Sequence, residues 1–286
     1  MSGFTNVKSY VDADLNGQTK YATWRKSPSQ ISVVGVWFDL SMSSGNPIPQ
    51  YYIGSQNTST LLKQSTDGGL AHGGAVAPKS KFLARTTIIA TAATALPMTM
   101  MLCDYLMFYP FIDESITDEQ FLNNTTSLSR YGTGVGVQVM AISVGSRTGG
   151  QSFFFNYTNS DGVSGRVSRT VVQNLTSPVG GLVTTERALL NCSTPFIPLQ
   201  EGDTGVRSIE SVTMLGPDVG LFTLVLVKPL AQTQIRGIDA PVESNYYIDK
   251  GILPKIEDDA YLNFICLPMG SLAATALHGD ITTVWN

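Results

Sequence analysis

His72 and His278 are the only imidazoles in the chain. A serine or cysteine nucleophile activated by a histidine base would have to use one of them. Both lie among glycine or alanine neighbours, and no GxSxG elbow accompanies them; Gly162-Val163-Ser164-Gly165 is one residue short of that motif and fits a turn. The sequence holds no HExxH, Walker A or dinucleotide fingerprint. Gly132, Gly134 and Gly136 fall at every second position of a strand-like run, the wrong spacing for a phosphate loop. Cys103, Cys192 and Cys266 are odd in number, widely separated and set among apolar neighbours. That pattern predicts buried free thiols, folding in a reducing compartment, and no metal-ligand set.

Acid pairs are the remaining chemistry. Asp113, Glu114, Asp118, Glu119, Asp203, Glu210, Asp258 and Asp259 are the candidates for glycoside cleavage, which needs two carboxyl groups facing each other across a cleft. Asp113 to Glu119 also suits a helix start, and Asp258-Asp259 a polar loop. Asp203, in its glycine-flanked turn, suggests calcium, but such a cage takes about six or more oxygens. Tyr51-Tyr52, Phe108-Tyr109, Tyr246-Tyr247 and Trp285 would suit a sugar platform. Adjacent aromatics on a strand, however, put one ring in the core and one outside. These residues define no catalytic group, cofactor site or metal-ligand set, and point away from an enzyme.

The elements that would position any site are mainly β. Val135, Val137 and Val139 alternate at period two, as do Phe153, Phe155 and Tyr157 after the Gly149-Gly150 turn. With Arg166 to Leu175 these runs predict a three-strand meander. Gly205 to Thr213 alternates again. Leu221 to Val227 is apolar almost throughout, as in a strand covered on both faces. Tyr261 to Leu267 and Ile281 to Trp285 add two more strands. Thr86 to Cys103 is a run of 18 uncharged residues, but Pro97 and five threonines favour two strands joined by a turn over a membrane span. The best helix signal is Thr117 to Leu122, with a capping-box spacing from Thr117 to Gln120. Many short strands and few short helices predict a β-sandwich or jelly-roll-like fold. Residues 81–286 would form it, as one sandwich or two sub-sandwiches. Residues 1–80 would be an irregular N-terminal arm with one strand at Ile31–Asp39.

Charged residues make up only 14% of the 286, while 43% are hydrophobic. A soluble domain averages roughly a quarter charged, so this surface suits an assembly subunit covered by partners. The net charge of −4 argues against nucleic-acid binding. The one basic-aromatic stretch, Lys20 to Lys26, reads as a solvated amphipathic segment. The first residues lack the charged and apolar regions of a secretory signal. Sequons such as Asn156-Tyr157-Thr158 and Asn174-Leu175-Thr176 then count as products of an Asn- and Thr-rich composition.

Pro195-Phe-Ile-Pro-Leu-Gln-Glu-Gly-Asp-Thr-Gly-Val-Arg-Ser-Ile209 and Gly220-Leu-Phe-Thr-Leu-Val-Leu-Val-Lys-Pro-Leu230 resemble stretches of tailed-bacteriophage structural proteins. Leu262-Asn-Phe-Ile265 and Gly270-Ser-Leu-Ala273 add to the similarity, which covers residues 100–286. Within that group the chain is most similar to auxiliary capsid (decoration or cement) proteins. The resemblance implies a virion component, made in the host cytoplasm, that binds the major capsid protein on the outside of the head and staples capsomers. It further implies a homotrimer without nucleic-acid or membrane partners. The alternative is a tail, collar or baseplate component, including a carbohydrate-binding or carbohydrate-active module. Trp24, Arg25, Trp37, Tyr51, Tyr52 and Trp285 are the expected assembly contacts.

Overall fold

The computed structural model describes residues 3–4, 6–184, 194–238 and 240–286. Cys192 lies outside them; Cys103 and Cys266 are buried free thiols, as expected. Among the described residues, nine strands have six residues or more: β1 (Thr19–Ser27), β2 (Lys81–Ala90), β3 (Met98–Asp113), β4 (Gln138–Ser143), β5 (Ser152–Asn159), β6 (Val206–Met214), β7 (Leu221–Ile235), β8 (Leu262–Pro268) and β9 (Leu277–Trp285). Their ladders are all antiparallel. The fold is mainly β and sandwich-like.

The central sheet runs Phe38–Asp39, β8, β3, β7, β4, with Thr60–Leu61 also paired to β3. On one of its faces Cys103, Tyr105, Phe108, Val225, Val227 and Ile265 pack with Trp37, Tyr52 and Leu182. The opposite face is shared by two further sheets. At one end Met98, Met100, Leu102, Leu262 and Phe264 pack against a sheet ordered Val242–Asn245, β2, β9, β1, Ser44–Asn46. At the other end Leu106, Tyr109, Ile112, Phe222, Leu224 and Leu226 pack against a sheet built on β5 and β6. Two half-sandwiches thus share one central sheet. The near-continuous apolar run in β7 follows, because consecutive residues enter different cores. A short helix, α1 (Val7–Leu15), lies over the outer face of the β1–β2 sheet, where Ala13 joins Phe82, Ala84 and Val284.

Sharing β3 creates a problem midway along its edge. β8 pairs with β3 as far as Asp104, and Thr60–Leu61 pair with Phe108 and Met107. Arg130 fills the gap between these neighbours. Its guanidinium donates to both oxygens of Asp104, at 3.0 and 2.8 Å, and to the carbonyls of Leu62 and Tyr105, each at 3.0 Å. The Tyr261 amide adds a third donor to Asp104, at 3.0 Å. Burial pushes the Asp104 carboxyl up to about 6 against the pull of Arg130.

Several expectations are corrected. Residues 1–80 are not a separate irregular arm, since β1 sits inside a sheet between β9 and Ser44–Asn46. Lys26 on β1 is fully buried, and its ammonium donates to the carbonyls of Ser41, Ser43 and Pro47 at 3.3, 3.1 and 2.8 Å. Asp39 beside it accepts the amide of Ser41 and the hydroxyls of Ser41, Tyr52 and Tyr105. The Ile31–Asp39 run is strand only at Phe38–Asp39, because Gly35, at φ 71°, turns the chain before it. Thr117–Leu122 is not a helix. The Gln120 side chain bonds the Asp113 backbone, at 3.0 and 2.8 Å, and Gln120–Phe121 pair with β6. The meander holds only in part: Arg166–Val167 and Val171–Val172 pair with β5, but β4 pairs with β7 in the central sheet. The two strands expected on either side of Pro97 are β2 and β3, in different sheets.

Replacing Arg130 by Met leaves the Asp104 carboxylate buried without its counter-ion. The expected cost, from urea unfolding at pH 8, is about 3–5 kcal/mol. A carboxyl whose folded pKa lies above its unfolded value stabilises below the unfolded pKa and loses that contribution as pH rises through the folded one. The variant raises the folded pKa further, so its deficit should shrink between pH 8 and pH 5. A deficit independent of pH would show that Asp104 is not the group left unpaired.

Candidate assembly surface

One end of the β5–β6 half-sandwich carries three connections: Arg147–Gln151 between β4 and β5, Gln173–Ser177, and Leu215–Gly220 between β6 and β7. Backbone bonds bind them into one unit. Thr148 and Val219 exchange hydrogen bonds at 2.9 and 3.1 Å, the Gly149 amide reaches Leu175 O at 3.0 Å, and Leu215 N reaches Ser152 O at 2.8 Å. Arg147–Thr148 and Thr176–Ser177 form a two-stranded ribbon.

Beneath these connections lies a dry charge network. Arg147 is 3% exposed and donates to both oxygens of Glu114 (2.8–3.1 Å), to Gln173 Oε1 at 2.8 Å and to Asn174 O at 2.5 Å. Asp218 lies 3.9 Å from Arg147, and its carboxylate accepts Gln151 N at 2.8 Å. Burial raises the Glu114 pKa, opposed by Arg147. The backbone closes tightly over the network: Gly149 has φ 137°, and a Cβ there would overlap the Asp218 carboxylate. Each connection is therefore tied to the same guanidinium, directly or through one carboxylate.

Three of the side chains turned outward are large and apolar, beside the exposed Thr148, Gln151 and Thr176. Leu175 is 76% exposed, Val219 68% and Leu215 57%. A groove of about 530 Å³ adjoins Leu175, lined also by Val36, Gly150, Val172 and the polar stretch beside it. Large aliphatic groups held in water by hydrogen-bonded connections are suited to docking against another protein.

The expected contacts are not assembled here. Trp24, Trp37 and Tyr52 are 3%, 4% and 0% exposed and belong to the cores, so they are corrected from surface contacts to packing residues. Trp24 packs on Phe264 with centroids 4.7 Å apart, and Tyr52 meets Phe108 at 5.4 Å. Arg25 and Tyr51 are exposed, and Trp285 is half-buried. Arg25 pairs with His278, seven residues along β9 from Trp285, so about 23 Å of strand separates them at the usual rise. Leu175, Leu215 and Val219 escaped the sequence reading because each lies beside turn residues. The Gly216-Pro217 turn was visible; the outward aim of Leu215 was not.

All the candidate carboxylates but Asp118 are bonded within the fold. Glu114 pairs with Arg147, and Asp113 accepts from Ser115. Glu119 accepts from Asn156 and Ser211, and Glu210 from Thr158 and Gly165. Asp203 is held by Arg166, Tyr157 and Asn159, which bring its carboxyl down to about 2. Asp258 caps Val76 and Ala77, Asp259 holds Ser65, and Asp118 is exposed. His72 is buried and depressed to about 4 by burial, its Nε2 3.0 Å from Ala260 O. Among the described residues no three His, Cys, Asp or Glu side chains converge on a metal position, and no helix is long and apolar enough to cross a membrane.

No protein-family model and no curated protein matches this chain.

Arg147→Met should cost about 3–5 kcal/mol, by leaving Glu114 buried and unpaired. Hydrogen exchange followed by mass spectrometry should show faster exchange across 147–151, 173–177 and 215–220 than elsewhere. Uniform acceleration over all three sheets would mean that the network supports the whole fold and not this surface in particular.

Proposed function

We propose that the chain is a non-enzymatic structural subunit of a phage particle, binding the outside of the capsid and joining neighbouring capsomers through protein–protein contact. The observation that carries this reading is the end surface at Leu175, Leu215 and Val219, apolar outside and fixed from below by the Arg147 network. Preorganised loops lose little conformational freedom on docking, so apolar burial contributes more fully to affinity.

The use of charge supports it further. Lys26, Asp39, Lys81, Asp104, Glu114, Arg130, Arg147 and Asp218 are all buried. A chain already poor in charge thus places eight of its charged side chains inside, four of each sign, and its outer surface carries correspondingly fewer charges. Ile48, Ile53, Ile248 and Ile252 are 68–75% exposed, so apolar surface is not confined to one end. That distribution fits a subunit contacting more than one neighbour. The consumption of the candidate carboxylates by internal bonds supports a binding role over a hydrolytic one. The particular assignment to a head decoration or cement protein, acting as a trimer with the major capsid protein, rests on the resemblance of residues 100–286.

Light scattering coupled to size exclusion tests the reading. The expected result is three copies of the 30.7 kDa chain per particle. Leu175→Glu with Val219→Glu should return it to monomers while the far-ultraviolet circular dichroism stays unchanged. Sedimentation with capsids should then carry down the parent chain and not the double variant. A parent chain that stays monomeric and remains in the supernatant would overturn the proposal.

A further inference from the structure

The central sheet has an open edge away from that surface. β7 is 15 residues long, Leu221–Ile235, and pairs with β3 over its whole length. On its other side β4 covers only Phe222–Val227. Among the described residues, no backbone hydrogen bond takes up the outward groups of β7 from Pro229 to Ile235. Two grooves flank this stretch. One, of about 520 Å³, is lined by Pro97, Met98, Thr99, Gln234, Arg236 and Met269. The other, of about 400 Å³, is lined by Gln232, Thr233, Gln234, Val242, Ser244 and Lys250.

An unpaired edge is a template for another strand, and proteins usually block it with charges, prolines or a covering loop. Here Lys228 and Pro229 guard only the beginning. Gln232 and Gln234 stand exposed between the two grooves, neutral and rich in hydrogen-bonding capacity. The charge lining the grooves is of one sign, since Arg236 and Lys250 contribute to it and no acid does. In a chain of net charge −4 this is a local reversal.

We infer that residues 229–235 accept an extended segment of a partner protein, bearing acidic residues at its ends, as an added antiparallel strand. Main-chain pairing supplies the affinity, and the flanking grooves receive alternate side chains. Arg236 and Lys250 select the acidic ends. The same edge of a second copy is the wrong occupant. Antiparallel pairing centred on Gln232 sets Lys228 opposite Arg236 twice, and like charges directly opposed are destabilising. Any other segment with acidic ends, from whatever protein, meets the chemical requirement.

The probe is a fluorescein-labelled peptide, Glu-Thr-Val-Thr-Val-Thr-Val-Thr-Glu, titrated with the full chain and followed by anisotropy. Saturable binding is expected, at least tenfold weaker when both end residues are lysine. Methylating alternate backbone nitrogens on the edge-facing side of the peptide should abolish it. Arg236→Glu with Lys250→Glu, both at exposed positions, should reverse the preference between the two peptides. Hydrogen exchange should slow at 229–235 on binding. Absence of saturation, equal binding of both peptides, or protection appearing at Leu175 and Val219 instead would each overturn the inference. The Leu175→Glu, Val219→Glu variant should bind the peptide as the parent does, so failure of the assembly proposal is distinguishable from failure of this one.

Discussion

The pairing of β3 with β7 is the contact on which the rest of the structure depends. Both strands run through two half-sandwiches, so their side chains must satisfy three separate cores in turn. Register shifts at Phe222/Leu224, Leu226/Val227 and Pro229/Ala231 let one ladder do this, because each shift re-aims the residues that follow. A straight, evenly pleated pair of this length would keep every second residue on one face and would not follow the bend between the two outer layers.

Buried charge marks the places where this arrangement would otherwise leave backbone unsatisfied. Arg130 bridges the change of neighbour along β3. Lys26 takes up three carbonyls of the loop at 41–47, and Asp39 gathers hydroxyls from Tyr52 and Tyr105 beside it. Arg147 does the same for the loops at the far end. Each group is desolvated at considerable cost, and none is an economical source of stability. What they provide is the positioning of irregular backbone, where apolar side chains have no hydrogen bonds to offer.

Much of the β architecture was legible in the sequence, and the reason is specific. Phe153, Phe155 and Tyr157 alternate because β5 has one buried face, while Leu221–Val227 lacks alternation because β7 has two. Period and burial are directly linked, so these strands were recoverable. Thr117–Gln120 misled because the same glutamine that would complete a capping box reaches the Asp113 backbone, a contact set by tertiary structure. Val135 was grouped with Val137 and Val139, yet Gly136, at φ 70°, turns the chain before β4 and leaves Val135 53% exposed. Of the aromatic residues expected at contacts, Trp24, Trp37 and Tyr52 follow the general tendency of large rings to be buried. Leu175 and Val219 carry no local pattern at all. Their exposure follows from which loops the Arg147 network draws together.

The position of β1 between β9 and Ser44–Asn46 has a consequence for how the chain is made. Thr19–Lys26 are hydrogen-bonded to Leu277–Val284, from opposite ends of the sequence. On the ribosome β1 emerges early and has no partner on that side until β9 has been synthesised. Strands β3 to β7, which build the other half-sandwich, are complete by Ile235 and can condense before then. Translation therefore permits an order: the half carrying the Leu175 surface can assemble first, while the half containing both early and late segments cannot close until β9 is made.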